Sequence, residues 1–242
     1  KQMGNPDLKW QRTLNNNFGL TAAFLDSRFN LSFDFYSNTT YDMLMSVNLP
    51  PSVGTTSMNV NFGQLNNKGL DLSLSAQIIR NKDWFWSMTL TGGHVMDQIR
   101  KISQGLKNDI DNPYDSSKPK ILFVEGGSQY DIYAMRSAGI DPATGKEIFI
   151  KKNGEYTFNY DEKERVAVGN TNPILQGSLM NTLRYKGFSI SVATSYTFGS
   201  DYFNSTLKNK VENIDLNYNV DRRVFTDRWK EPGDHTRFLG IG

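Results

Sequence analysis

The sequence predicts an all-β protein, namely an antiparallel transmembrane β-barrel fragment of about six strands with long extracellular loops. Three observations predict this fold class. Apolar and polar residues alternate with period two over long segments, as in strands whose two faces meet different surroundings. The connections between these segments alternate between very short and very long. Aromatic residues also cluster beside the short connections.

The clearest alternation lies in a predicted hairpin from Asn66 to Val95. Apolar residues occupy every second position of 70–78 and again of 84–90, and a polar turn at 80–83 separates the two arms. The positions between them carry small or polar side chains such as Asp71. A ribbon of this kind has one apolar and one polar face, so one face meets water while the other meets lipid or a core.

Two further hairpins repeat the pattern. In the first, the arms 18–24 and 29–35 alternate Phe and Leu with smaller or polar residues across a short turn. In the second, the arms 175–185 and 188–198 are joined by a two-residue turn at 186–187. The strands that contain these arms are expected to run about ten residues or more, which is enough to cross a bilayer at the usual tilt.

Long polar loops are predicted at 41–65, 96–171 and 199–236. Compact soluble domains rarely contain such loops, whereas transmembrane barrels combine short periplasmic turns with long extracellular loops. We therefore expect the apolar face to meet lipid and the polar face, from Asp71 to Gln77, to line a hydrated lumen. About six strands are too few to close a stable pore, so we expect a fragment of a larger barrel.

Aromatic residues beside the short turns are predicted to form a girdle at one membrane interface. Aromatic rings are stable at the level of the lipid headgroups, which makes such girdles common in transmembrane barrels. The predicted lipid-interface residues are Phe24, Phe29, Trp84, Trp86, Tyr185 and Phe188.

The composition excludes several classes of protein. The chain has no cysteine, which excludes a disulfide scaffold, and its net charge of +2 gives no reason to expect nucleic acid. The only histidines, His94 and His235, support no catalytic triad, so we expect no enzyme and no catalytic residue. The oxygen-rich segment 108–112 suggests calcium, but it lacks the spacing of a calcium-binding loop. We expect no metal site and no cofactor.

Aromatic residues in the long loops are candidates for contact with a substrate or a partner, because rings offer large contact area at low entropic cost. The alternative is that they pack the loops against themselves. The candidates are Tyr114, Tyr130, Tyr133, Tyr156, Tyr160 and Trp229.

Characteristic motifs recur along the chain at 5–10, 33–42, 63–72, 139–145 and 228–234. The most distinctive contains the run Asn-Asn-Lys-Gly-Leu-Asp-Leu, which ends at Leu72. In their order, these motifs resemble the C-terminal half of the barrel in SusC/RagA-like TonB-dependent transporters of Bacteroidota.

The resemblance implies a barrel of about 22 strands in the outer membrane, with residues 1–242 inside this one barrel domain. It also implies a plug and a TonB-interacting segment that these residues do not include. The partners it implies are outer-membrane lipid, TonB and a SusD-like surface lipoprotein. The function it implies is energy-coupled uptake of oligosaccharides or peptides.

Two alternatives stay open from the residues alone. One is an outer-membrane barrel enzyme such as a lipase or protease, which would need a catalytic cluster that the sequence does not indicate. The other is a secreted β-sandwich adhesin that binds glycans, in which the apolar faces would meet in a dry core. The alternation of short and long connections disfavours the sandwich.

Overall fold

The computed structural model describes residues 4–48, 54, 57–102, 120–121, 123–212, 214–215 and 217–240. The chain divides into two compact units. The sheet unit comprises 1–114, 122–130 and 170–201, and the loop unit comprises 115–121, 131–169 and 202–242.

Twelve strands lie within the described residues, numbered here in chain order. They are β1 (Arg12–Phe24), β2 (Phe29–Asn48), β3 (Ser57–Arg80), β4 (Trp84–Ile102), β5 (Lys120–Ile121), β6 (Asp131–Ala134), β7 (Arg136–Ile140), β8 (Glu147–Ile150), β9 (Tyr156–Thr157), β10 (Val166–Asn170), β11 (Leu175–Tyr185) and β12 (Phe188–Phe198).

The sheet unit is built on one six-stranded antiparallel sheet in the order β1-β2-β3-β4-β11-β12. Its cross-strand rows confirm the predicted alternation. One row carries a hydroxyl on every strand, and it consists of Thr21, Ser32, Ser73, Thr91, Ser178 and Ser195. The next row is apolar on five of the six strands, and it consists of Ala22, Leu31, Leu74, Leu90, Leu179 and Thr194. The all-β antiparallel fold is therefore confirmed.

The apolar face is open within the described part of the sheet unit. Phe18 is 64% exposed, Leu20 54% and Ile190 64%. In a β-sandwich these side chains would be covered by a second sheet. The exposed face disfavours the sandwich alternative and agrees with a barrel wall whose outer surface meets lipid.

The strands are longer than predicted, so the predicted loop at 41–65 was too long. β2 continues to Asn48 and pairs with β3 from Ser57 onward, and β4 runs on to Ile102. This part of β3 does alternate, with Met58 and Val60 between Ser57, Asn59 and Asn61. The prolines at 50 and 51 indicated a loop and so concealed the extension. The extension is packed by the buried residues Leu65, Ile99 and Ile102 against Met43, Met45 and Phe123.

A bulge also changes the predicted hairpin. The register steps from Gln77 opposite Ser87 to Ile79 opposite Trp86, which leaves Ile78 as the extra residue. Ile79, and not the predicted Ile78, therefore continues the apolar row next to Trp86.

The loop unit contains regular structure that the sequence did not predict in 96–171 and 199–236. Two small sheets have the orders β10-β6-β5 and β7-β8-β9. Short helical turns lie at Glu162–Glu164, Ser205–Leu207, Lys208–Glu212 and Arg223–Thr226. A buried cluster of Val211, Val224 and Phe238 holds the later part of this unit together. No helix among the described residues has the length and apolar character needed to span a membrane.

Candidate functional site

The polar face of the sheet contains two aspartates in direct cross-strand register. Asp34 on β2 lies opposite Asp71 on β3, and the row continues outward to Gly19 and Gly93. A Cβ atom on Gly19 would lie 2.6 Å from Oδ1 of Asp34, and a Cβ atom on Gly93 would lie 2.6 Å from Oδ1 of Asp71. The two carboxylates thus lean apart over the neighbouring glycines, which reduces their mutual repulsion.

Amides and hydroxyls surround this carboxylate pair on the same face. One hollow of about 640 Å³ is lined by Asn15, Asn17, Asp34, Tyr36, Asn38 and Asp71. A neighbouring hollow of about 320 Å³ is lined by the same two aspartates, by Leu72 and two glycines, and by Ser32, Ser73, Thr91 and Gln176. Such a wall offers both hydrogen-bond donors and acceptors to a polar solute.

The histidines do not form a catalytic arrangement in the described residues. Nδ1 of His94 contacts the backbone oxygen of Ile174, and His235 lies exposed in the loop unit. The described part of the chain also contains no group of three or more side chains suited to a metal ion. The oxygen-rich segment 108–112 and Tyr114 lie outside the described residues.

The six predicted interface aromatics lie beside the short turns of the sheet. Phe24 pairs with Phe29 across the first turn, and Tyr185 pairs with both Trp84 and Phe188. The ring centroids of Trp84 and Tyr185 are 4.2 Å apart. Trp86 lies one step further into the sheet, opposite Leu183. The positions agree with a girdle at one end of the strands, and its contact with lipid stays a prediction.

Trp229 is held in place by a hydrogen bond and by two closely packed glycines. Its indole Nε1 donates a hydrogen bond to the backbone oxygen of Pro142 at 2.9 Å. Its ring packs on Gly145, whose φ of +70° favours glycine and where a Cβ atom would lie 2.5 Å from the ring. A second glycine, Gly240, approaches the same ring. Trp229 therefore has a fixed position in the loop unit.

A cavity of about 450 Å³ opens beside Trp229. Its walls include Phe149, Phe158 and Leu239, and Glu147 also lines it. Burial raises the pKa of Glu147 above its ordinary value of 4.5. A hydrogen bond with Ser137 opposes this rise in pKa, and the nearby carboxylate of Glu212 adds to it. The sequence did not single out Phe149, Phe158 or Glu147, although the alternation of Glu-Ile-Phe-Ile at 147–150 is a strand signal.

The four remaining predicted tyrosines differ in their surroundings. Tyr160 accepts a hydrogen bond from Nε of Arg165 at 2.8 Å and packs edge-on against Phe149. Tyr156 on β9 is 70% exposed. Tyr133 on β6 is half-buried, and its pKa is raised by burial and then by Asp131. Tyr130 belongs to the sheet unit, where its ring is exposed and its backbone oxygen accepts from Thr171.

An antiparallel sheet with an open apolar face, an aromatic end and a polar opposite face defines a wall segment of an outer-membrane type of β-barrel. A family model for the TonB-dependent receptor-like β-barrel matches residues 1–220. The chain belongs to this family, whose members are outer-membrane β-barrel proteins, and within it the chain is SusC/RagA-like.

Similar proteins agree with this assignment. A TonB-dependent receptor of Formosa agariphila is 27% identical over 99% of the chain, and SusC of Bacteroides thetaiotaomicron is 28% identical over 85%. The solved structure of the RagAB peptide transporter matches with a TM-score of 0.81 at 28% identity over 99% of the chain. The chain covers 27% of the Formosa receptor, 21% of SusC and 27% of the matched RagAB chain. It thus spans about a quarter of the length of these relatives.

Proposed function

We propose that this chain is part of the barrel of an outer-membrane importer that takes up oligosaccharides or peptides. The observation that carries the proposal is the difference in polarity between the two faces of the sheet. An open apolar face suits lipid, while the opposite face presents the hydroxyl row and the Asp34–Asp71 pair to water. Solutes that cross such a barrel must exchange hydrogen bonds with water for hydrogen bonds with the wall, and these side chains supply them.

The import is energy-coupled and non-enzymatic in this proposal. TonB supplies the energy through parts of the full-length protein outside this chain, and the residues described here contribute lumen wall and loops. The similarity to SusC and RagAB supports this coarse mechanism.

A SusD-like surface lipoprotein is the proposed partner at the extracellular ends of the strands. Exposed loop aromatics are suited to bind it or the substrate, because they add contact area with few rotatable bonds. Tyr156 is the best candidate among the described ones, since 70% of its surface is exposed.

Uptake by whole cells tests the proposal. A strain that lacks the full-length protein is complemented with the native gene and supplied with labelled peptides or labelled oligosaccharides. We expect uptake of one class only with the native gene, and its loss when TonB is deleted. Equal uptake with and without the gene for both classes would exclude the proposed function.

The orientation of the faces has its own test. In a cysteine-free background, Ser73→Cys on the polar face is expected to react with a water-soluble thiol reagent, whereas Leu74→Cys on the adjacent apolar face is expected to be protected in the membrane. Equal labelling of both sites would contradict the assignment of lumen and lipid faces.

A further inference from the structure

The cavity beside Trp229 has three aromatic walls from three separate stretches of the loop unit. Phe149 lies on β8, Phe158 directly follows β9, and Trp229 comes from the later part of the unit. Trp229 is fixed by Pro142 and Gly145, so its ring is held in place before any ligand arrives. Aromatic rings attract cations through their negative π surfaces, and rings held in place lose little freedom when a cation binds.

A carboxylate lines the same cavity. Glu147 begins β8 and is half-buried, with Ser137 as its hydrogen-bond partner. Burial and the neighbouring Glu212 both disfavour its charged form, which raises its pKa. It takes part in none of the salt bridges among the described residues. A cation in the cavity would favour the charged form of Glu147 and so offset the effects of burial and of Glu212.

Lys146 also borders the cavity and must be considered. Its side chain is exposed, so solvent and salt screen its charge more strongly than that of the half-buried Glu147. The net character of the cavity is therefore aromatic and acidic.

We propose that this cavity binds the alkylammonium group of a lysine side chain in a peptide substrate. The inference rests on the proposed import function and narrows it to the peptide class. The volume of about 450 Å³ lies within the range of small-ligand pockets and accommodates a lysine side chain. The aromatic rings contact the methylenes and attract the ammonium, and Glu147 neutralises it. A neutral sugar would leave the half-buried carboxylate without a counter-charge.

The test is a binding titration on the purified full-length transporter in detergent, at neutral pH. The probes are two tripeptides blocked at both ends, with either lysine or its uncharged analogue norleucine between two glycines. We expect the lysine peptide to bind about tenfold more tightly, which corresponds to ~1.4 kcal/mol. Glu147→Gln is expected to remove this preference, because it keeps the shape and hydrogen-bonding capacity of the side chain and removes its charge.

Two further variants make the titration specific. Glu155→Gln removes an exposed carboxylate that pairs with Lys151 outside the cavity, and it is expected to leave the lysine preference unchanged. Phe158→Leu replaces a ring that is 52% exposed, so it is tolerated by the fold, and it is expected to weaken lysine binding more than norleucine binding. Equal binding of the two peptides, or a preference that survives Glu147→Gln, would overturn the inference.

The titration and the uptake assay fail in different ways. A lysine preference that depends on Glu147, found in a protein that imports nothing, would contradict the proposed function and leave the cavity assignment standing. Peptide uptake together with equal binding of both probes would contradict the cavity assignment alone.

Discussion

The hydroxyl of Tyr196 donates a hydrogen bond to the backbone oxygen of Thr91 at 2.6 Å. Tyr196 lies on β12 and Thr91 on β4, so the bond crosses the intervening strand β11 at Gly177. A Cβ atom on Gly177 would lie 2.0 Å from that oxygen and 2.6 Å from the tyrosine hydroxyl. The side chain of one strand thus ties together three strands, and only glycine leaves room for it.

Gly177→Ala is therefore expected to destabilise the folded barrel by about 2 kcal/mol, because the added methyl overlaps backbone as well as the tyrosine ring. The matched control is Gly187→Ala, since no atom lies within 4 Å of a Cβ atom there. We expect the control to change stability by less than about 0.5 kcal/mol. Thermal unfolding of the full-length protein in detergent measures both, and equal transition temperatures for the two variants would contradict the packing described here.

Much of the sheet could be predicted from the sequence. Period-two alternation located all three hairpins, because a strand between lipid and water must differ on its two faces. The extensions of β2 and β3 alternate as well, but the prolines at 50 and 51 indicated a loop there. The bulge could not be predicted, since Ile78 and Ile79 are both apolar and the pattern does not show which of them continues the row. The fold class was confirmed, whereas the loop bounds were too wide.

The loop sites were harder to predict than the sheet. Trp229 was a candidate because of its residue type, but Phe149 and Phe158 meet it only through the fold, from positions far apart in the sequence. Glu147 has no distinguishing neighbour in the sequence. A cavity that is assembled from distant segments has no local pattern to reveal it.

The carboxylate pair on the polar face gives a second prediction. Asp34 and Asp71 are direct cross-strand neighbours, and like charges in such positions destabilise a sheet. Asp71→Asn is therefore expected to raise the stability of the barrel by roughly 0.5 kcal/mol at low salt, with a smaller gain at high salt. Thermal unfolding of the native protein and of Asp71→Asn at two ionic strengths measures this gain and its dependence on salt. Asp83→Asn, in the turn before β4, is the control and should show no gain, and a loss of stability in Asp71→Asn would contradict the repulsion.

A buried arginine gives a third prediction. The guanidinium of Arg228 donates to four backbone oxygens in the loop unit, those of Val211, Glu212, Leu239 and Gly240. The residue is only 6% exposed, so a substitution that leaves these oxygens without donors is costly. Lysine cannot reproduce the planar fork of donors, and Arg228→Lys is expected to destabilise the loop unit by about 2–3 kcal/mol.

Limited proteolysis of the folded full-length protein measures this effect, since local unfolding of the loop unit exposes cleavage sites. The control is Arg223→Lys, because Arg223 is exposed and its guanidinium hydrogen-bonds the carboxylate of Asp221. We expect faster cleavage between residues 202 and 240 in Arg228→Lys and native rates in Arg223→Lys. Native rates in both variants would show that the buried guanidinium contributes little to the stability of this unit.

The raised pKa of Glu147 gives the last prediction, which concerns pH. The folded state binds the Glu147 proton more tightly than the unfolded state, so the loop unit loses stability as the pH rises from 4.5 through the raised pKa. Glu147→Gln removes this loss and is expected to stabilise the loop unit at neutral pH. Glu155 behaves oppositely, because Asn153 and Lys151 lower its pKa, and its contribution is lost as the pH falls below 4.5. Hydrogen exchange of β8 measures how the stability of this strand changes with pH in the native protein and in Glu147→Gln. The rates are corrected for the intrinsic pH dependence of exchange. If Glu147→Gln leaves the pH profile of β8 unchanged, the carboxylate is better solvated than its position in the cavity indicates.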